Sequence, residues 1–285
     1  MSRILVTGGA GFIGSNLVKR LVDEGHSVTS LDNYSLGTVD NHILGANYIN
    51  NDVTNINNIE NRYDIIFHLA ALSRVQPSFT DPDETFRANV LGTQKVCDYA
   101  RAYDIKLIYA GSSSKHYDPN ASPYAFTKYT GEEICKLYKK TFNMNIEIAR
   151  FYNVYGPNEI LDGDYAAVVG RWRQQIKDRQ PLTIIGTGEK KRDYTHVDDI
   201  VEGLVKIAFK EKRHEDAWEL GAGVNYSVNE LFGMFKERFP NVDSLYLPDQ
   251  SGNYDTSLRA NNDANELLDW QPKDRLKEYI LSLWK

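Results

Sequence analysis

Two groups of residues in this chain have types and spacing that could do chemistry. The first is Thr7-Gly8-Gly9-Ala10-Gly11-Phe12-Ile13-Gly14, which follows the apolar run Ile4-Leu5-Val6. It leads into Phe12, Ile13, Leu17, Val18, Leu21 and Val22 at helical spacing. A strand, a glycine-rich turn and a helix together aim free backbone N–H groups and a positive helix end at a phosphate. In that arrangement Gly8 suits the tight turn, Gly11 the close approach of a pyrophosphate and Gly14 the packing of helix on strand. Phe12 and Ile13 form the first helical turn beside it. About 20 residues past the loop, the run Ser27–Leu31 ends in Asp32-Asn33, where a dinucleotide site places an acid for the adenosine ribose. A carboxylate there accepts from a 2′-hydroxyl and repels a 2′-phosphate, so the expected cofactor is NAD. On its own, Asp32 reads equally well as a solvated residue opening a turn.

The second group is Gly111-Ser112-Ser113-Ser114 followed by Tyr124 and Lys128. The serines come directly after the apolar run Lys106–Ala110, at the carboxyl end of a strand, where open α/β sheets bind ligands. Tyr124 and Lys128 are four apart and share one face of a helix. A phenol with a pKa of about 10 is a poor base at neutral pH. A neighbouring ammonium and a cationic nicotinamide would both favour phenolate and lower that value. With 18 tyrosines in the chain, a Tyr–Lys pair alone carries little weight. The order of loop, acid, serines and Tyr–Lys carries more.

These residues need a sheet to position them. Strand-like runs at Ile4–Val6, Val28–Leu31, Ile65–Leu69, Lys106–Ala110 and Ile146–Phe151 alternate with helical patterns, which predicts an α/β fold with a doubly wound parallel sheet. Pro181–Ile185 is a further candidate strand and Asp198–Lys210 a helix. The expected organisation is a Rossmann-type domain over 1–157, with a return contribution near 181–210, and a smaller mixed α/β substrate lobe over 158–285. The chain has 285 residues, 41% hydrophobic and 25% charged, with a formal charge of −6, so neither nucleic acid nor an anionic membrane is an expected partner. Cys97 and Cys135 sit in helical patterns without metal-ligand spacing. They read as buried thiols of a cytoplasmic protein, and no metal is expected.

With these motifs in order, the sequence resembles the extended short-chain dehydrogenase/reductase family, and within it the nucleotide-sugar epimerases and dehydratases. The resemblance continues through Asp52-Val53, His68-Leu69-Ala70-Ala71, Asn89–Thr93, Arg150–Pro157, Arg192–Asp199 and Leu267–Pro272. It implies that Asp52 and Val53 flank adenine, and that Leu69, Ala70 and Ala71 line the pyrophosphate and ribose. It also implies that Asn89 and Tyr152 lie with the cofactor, and that Asn153 and Arg192 hold the diphosphate of a nucleotide sugar, a UDP-sugar being expected. Ser113, Tyr124 and Lys128 would be the catalytic set. Helices 83–103 and 124–142 pair between subunits in the family, so a homodimer is expected.

Counting back from Tyr117 puts Ser113 at the family's catalytic Ser/Thr position. Ser114 and Lys115 then fall where dehydratases carry Asp and Glu, unless a one-residue gap shifts the register. Elimination of water needs a positioned acid and base beyond the tyrosine. The implied activity is therefore epimerisation at C4 through a 4-keto sugar. A reductase of a nucleotide-linked 4-keto sugar is the alternative, and a non-catalytic dinucleotide binder would have no use for Ser113, Tyr124 and Lys128 together. Two departures bear on the substrate. Only nine residues separate Ser114 from Tyr124, and Gln250-Ser251-Gly252-Asn253 stands where relatives carry an Arg-Pro-Gly-Asp type segment. Arg259 is a candidate to replace the missing charge.

Overall fold

A computed structural model describes residues 1–59, 62–211 and 213–284. Six strands, β1 (Arg3–Thr7), β2 (Ser27–Asp32), β3 (Asn47–Asn50), β4 (Ile65–His68), β5 (Lys106–Ser112) and β6 (Ile146–Phe151), build the main sheet together with β11 (Trp218–Leu220). The order of this 7-stranded sheet is β3-β2-β1-β4-β5-β6-β11, and every pairing in it is parallel. Unbroken apolar runs such as Ile4-Leu5-Val6 and Ile65-Ile66-Phe67 suit strands covered on both faces, and all of these residues are buried.

Helices α1 (Phe12–Asp23), α2 (Val75–Thr80), α3 (Pro82–Phe86), α4 (Gly92–Ala102), α5 (Pro123–Thr141), α6 (Val168–Lys177) and α7 (Val197–Phe209) follow in chain order. On one face of the sheet, Leu17, Val18 and Leu21 of α1 share a core with Ile200 and Leu204 of α7. On the other, Val96, Cys97 and Ala100 of α4 meet Cys135 of α5. Each face buries an amphipathic stripe, which at about 25 cal/mol per Å² of apolar surface is the main term holding the layers together.

The smaller lobe contains β7 (Val154–Tyr155), β8 (Leu182–Ile185), β9 (Lys191–Asp193), β10 (Thr195–His196), β12 (Asn225–Ser227) and β13 (Ser244–Leu247). They form three two-stranded pairs, β10-β7, β12-β9 and β13-β8. The strand foreseen at Pro181–Ile185 forms, but it pairs with β13 in this lobe. Helices α8 (Val228–Arg238), α9 (Asp263–Leu268) and α10 (Leu276–Ser282) complete the chain. The lobe's core is Trp172, Leu182, Ile184, Leu231, Phe235 and Ile280. Two strands of the main sheet escaped the sequence pattern, β3 and β11. Both are short sheet edges, and β11 comes from beyond residue 157, so the Rossmann sheet is completed by the later half of the chain.

Strand order reverses between β1 and β4, and the crevice at their carboxyl ends is the expected ligand position. Ser122 caps α5, its side chain accepting from the Ala125 N–H, with Pro123 in the first turn. That cap starts the helix one residue before Tyr124, and so decides where the phenol and Lys128 point.

Candidate active site

The glycine loop forms a cradle of backbone. Gly8 has φ +73, a left-handed conformation, and a Cβ there would stand 2.8 Å from the Ala70 nitrogen. At Gly14 a Cβ would stand 2.0 Å from the Gly8 oxygen. Gly11 caps α1 without a side-chain hydrogen bond, so the N–H groups of that first turn, including those of Phe12 and Ile13, are free of any capping side chain. This is the shape that takes a pyrophosphate. Leu69, Ala70 and Ala71 lie across from it, with the Ala70 N–H on Thr7 Oγ1 at 3.2 Å. At the end of β2, Asp32 accepts from the Ala10 N–H at 3.0 Å and the Tyr34 N–H at 2.8 Å, which aims its carboxylate along the loop. The residues fit a dinucleotide: N–H donors for phosphate, a walled approach that any Cβ would fill, and an acid at the ribose end.

Asp52 and Asn33 are joined, Asn33 Nδ2 donating to Asp52 at 2.9 Å. Arg87 grips both Asp52 oxygens at 2.9 and 2.8 Å, and this holds the Asp52 carboxyl well below the usual range. The Asp52 carboxylate is therefore committed to Arg87, while Val53 beside it is buried. The Asn89 side chain is likewise engaged by protein. Its amide holds Leu72 through both backbone groups, at 2.8 and 3.0 Å, and donates to Thr127 Oγ1 at 3.0 Å. It is a brace between the loop after β4 and helix α5.

That brace belongs to a longer chain of hydrogen bonds. Thr7 Oγ1 meets His68 Nδ1 at 2.8 Å, and His68 Nε2 meets Thr93 Oγ1 at 3.1 Å. Thr93 bonds the Asn89 carbonyl at 2.6 Å, and Thr127 bonds the Tyr124 carbonyl at 3.0 Å. The residue before the glycine loop is thus tied, link by link, to the first turn of α5. Burial and the nearby Lys128 charge push the His68 pKa down to about 3, so the ring is neutral.

The Tyr124 hydroxyl donates to Ser112 Oγ at 3.2 Å. Ser114 Oγ donates to the same Ser112 oxygen at 2.9 Å, and Ser114 lines a cavity of about 540 Å³ with Tyr124, Tyr117, Asp118, Tyr254 and Asp255. Ser113, the serine expected to be catalytic, makes no hydrogen bond to either group, and Ser112 is where Tyr124 and Ser114 meet. The strand continues through Ser112, and a short 3₁₀ turn, Ser113–His116, then begins.

Lys128 Nζ donates to the Ala110 carbonyl at 2.5 Å and lies 4.5 Å above the Tyr109 ring. Burial lowers its pKa to about 8. The expected lowering of the Tyr124 pKa is not what the protein alone produces. Burial raises it, opposed by the Ser112 hydrogen bond and the Arg74 charge. Lys115 turns onto α5, with Nζ on Glu133 at 2.6 Å and 3.8 Å above the Tyr129 ring.

Three further expectations separate. Tyr152 is fully buried, donating to Glu219 at 2.6 Å and accepting from the Ala260 N–H at 3.2 Å, so its phenol is structural. Asn153 donates to the Asp193 carbonyl and to Ser257 Oγ, both at 3.2 Å. Arg192 lies 4.5 Å from the ring of Tyr254, which stacks on Tyr117 at 4.0 Å. Arg259 is held by Gly221 and Asn262 at 3.0 and 2.8 Å. The sequence pattern missed the Tyr117–Tyr254 pair, whose members are 137 positions apart with no motif joining them.

Comparison with known proteins agrees with this geometry. The NAD dependent epimerase/dehydratase family matches over residues 4–221. A UDP-glucose 4-epimerase of Mycolicibacterium smegmatis is 32% identical over 98% of this chain and 96% of its own length. UDP-glucuronic acid decarboxylase 2 of Arabidopsis thaliana is 31% identical over 97% of this chain and 66% of its own. The crystal structure of a Thermotoga maritima UDP-glucose 4-epimerase with UDP-glucose superposes with a TM-score of 0.91 at 29% identity, covering 98% of this chain and 96% of that one. With that match over most of its length, the chain is a member of the NAD-dependent epimerase/dehydratase family of enzymes.

Proposed function

We propose that the chain epimerises a UDP-linked hexose at C4, with NAD as a resident cofactor. Bound NAD supplies a hydride acceptor that later returns the hydride, so the sugar passes through a 4-keto form. Gly8, Gly11, Phe12, Ile13 and Gly14 would hold its pyrophosphate, with Asp32 at the ribose and Leu69, Ala70 and Ala71 on the opposite wall. Tyr124 takes the 4-hydroxyl proton and gives it back, while Ser112 and Ser114 hydrogen-bond the same oxygen. Lys128 stands four residues along the same helix as a buried cation. Arg192 and Asn153 are the proposed contacts to the substrate's diphosphate.

The observation that carries this reading is the Tyr124–Ser112 hydrogen bond at the wall of the cavity. The position of Lys115 favours epimerase over dehydratase or decarboxylase. In the register counted from Tyr117, the two positions where dehydratases carry Asp and Glu hold Ser114 and a lysine that is paired with Glu133 and absent from the cavity wall. A homodimer through α3–α5 is part of the proposal, supported by exposed Phe86, Leu91, Phe126 and Leu137 on those segments and by Phe86–Phe126 ring contact at 5.8 Å.

The test is mass spectrometry of ligands released from purified protein, with turnover on UDP-glucose, UDP-galactose and their N-acetyl and uronate counterparts. Released NAD(H), interconversion of a C4 pair without net reductant use, and loss of turnover in Tyr124→Phe are expected. Stoichiometric consumption of reduced cofactor would establish the reductase instead.

A further inference from the structure

The reacting groups come from two elements. The serines lie at the end of β5 and in the turn Ser113–His116, while Tyr124 lies on α5. They meet at the Tyr124–Ser112 hydrogen bond, which the phenol gives up when it turns to a substrate oxygen. A bond exchanged during the reaction cannot also hold the two elements in register. A second connection runs behind the site. His116, the last residue of the serine turn, places Nε2 2.9 Å from Glu219 Oε1. Glu219, on β11, is 1% exposed and also accepts from Arg150 Nη1 at 2.8 Å and from the Tyr152 hydroxyl at 2.6 Å. Arg150, on β6, grips both oxygens of Glu132, with Nε on Oε2 at 3.1 Å. Glu132 belongs to α5, eight residues past Tyr124 and four past Lys128, on the same stripe of the helix. The serine turn and the helix of the phenol are thus joined through His116, Glu219, Arg150 and Glu132.

We propose that His116 is a positioning residue, whose bond to Glu219 fixes the serine turn against α5 so that the serine hydroxyls and the Tyr124 phenol meet one substrate oxygen. The inference rests on the reading of Tyr124 and the serines as the reacting set. A carboxylate only accepts, so His116 Nε2 is the donor in either charge state of the ring. Hydrogen bonds to an ionised acceptor are the strong ones, and a satisfied buried polar network rigidifies what it joins. Asp216 and Lys136 close the chain at its outer rim, Arg150 lying 3.1 Å and Lys136 2.7 Å from Asp216. Lys115, the neighbour of His116, also reaches α5, at Glu133, but that pair is open to water and holds less firmly. Neither His116 nor Glu219 lines the cavity, so both act through the residues they hold.

Two measurements test this, one of them independent of turnover. In the full-length protein carrying ζ-¹³C-tyrosine, the Tyr124 resonance is assigned by its loss in Tyr124→Phe. It is then followed in His116→Ala and in His116→Gln, whose side-chain amide can donate to Glu219 in place of the imidazole. The His116 side chain is 31% exposed, so both variants are expected to fold, and thermal melts check it. The resonance is expected to move in His116→Ala and to return in His116→Gln. In steady-state assays on the C4 pair, His116→Ala lowers kcat about tenfold at nearly constant KM, and His116→Gln regains most of the loss. A Tyr124 resonance unmoved in folded His116→Ala overturns the proposal, as does a shift that His116→Gln fails to reverse. So does a kcat within twofold of the parent in His116→Ala where Tyr124→Phe abolishes turnover. If Tyr124→Phe retains full turnover, or the parent converts no C4 pair, the reading of the reaction fails. The resonance alone then decides whether the turn is coupled to α5.

Discussion

The two sides of the site are built from different materials. The dinucleotide cradle is backbone: Gly8, Gly11 and Gly14 bring main chain against main chain, and Thr7, His68 and Thr93 brace it from behind with neutral hydrogen bonds. The cavity beside Tyr124, the proposed sugar side, is made of side chains. Tyr117, Tyr254 and Arg192 stack into one wall, and Ser114 and Asp118 from one segment and Asp255 from another supply polar groups. Backbone walls tolerate almost no substitution because no rotamer can move out of the way. Side-chain walls exchange residues readily, which lets one family serve many sugars on one cofactor site.

The sharpest way to break this contrast is Gly14→Ala. A Cβ 2.0 Å from the Gly8 oxygen forces α1 off β1, and overpacking of this kind costs about 3 kcal/mol. Loss of cofactor from the purified protein and a lowered melting temperature are expected. On the sugar side, Tyr254→Phe keeps the stacked ring, and turnover within about twofold of the parent is the expected result. If both substitutions proved equally mild, the distinction between the two constructions would be lost.

Within the side-chain wall the serines sharpen the picture. Ser112→Ala removes the acceptor of the Tyr124 hydroxyl and of Ser114. A hydrogen bond to a group that becomes charged contributes about 1.5–3 kcal/mol, so kcat should fall by about tenfold to a hundredfold. Ser113→Ala touches neither group and should stay within about twofold of the parent. The opposite ranking in steady-state assays would assign the catalytic serine to Ser113, as counted from Tyr117.

That pair also shows where sequence is legible. The cradle could be read because a backbone site demands glycine at set spacings, an acid one strand later, and apolar runs on either side. The five central strands could be read because burial on both faces leaves continuous Ile, Leu and Val. Ser112 could not be separated from Ser113 and Ser114, since three identical neighbours differ only in where a strand ends and a 3₁₀ turn begins. Asn89, Asp52 and Tyr152 fall in motifs shared with relatives, yet their polar groups are consumed by Leu72, Arg87 and Glu219. A motif marks a position as constrained without saying whether the constraint is contact or bracing. The Tyr117–Tyr254 stack joins residues 137 positions apart, which no local pattern encodes.

The two sides also differ in sign toward pH. His68, braced behind the cradle, has its pKa lowered from 6.5 to about 3 by burial. The unfolded chain binds the proton more readily there, so this group's stabilisation is complete above pH 6.5 and is lost as pH falls toward 3. Glu159, buried under the lobe with Arg173 at 2.8 Å, has its pKa raised from 4.5 to about 7 by burial. Here the folded state holds the proton more tightly, so the stabilisation is complete below pH 4.5 and is lost as pH rises through 7. Urea midpoints measured across this range should therefore gain at the acid end in His68→Gln relative to neutral pH. They should flatten at the neutral end in Glu159→Gln. Parallel curves for parent and variants would show that neither group titrates as its burial requires.

Lys115 carries the smallest expected effect and a large consequence. Its ammonium sits on Glu133 at 2.6 Å, with a side chain 16% exposed against 45% for the partner. An ion pair so open to water contributes about 0–1 kcal/mol, and the Tyr129 ring below it adds a comparable cation–π contact. Lys115→Gln should thus leave turnover of a C4-epimerising substrate unchanged and lower stability by no more than about 1 kcal/mol. Dehydration or decarboxylation, by contrast, needs a second acid–base group at the sugar, and in the register counted from Tyr117 Lys115 occupies one of the two positions where the family resemblance would put it. A hundredfold loss of turnover in Lys115→Gln, with the fold intact by circular dichroism, would mean that the lysine leaves Glu133 when substrate binds. The sugar wall would then be assembled by the ligand, and the contrast with the preformed backbone cradle would become one of timing as well as material.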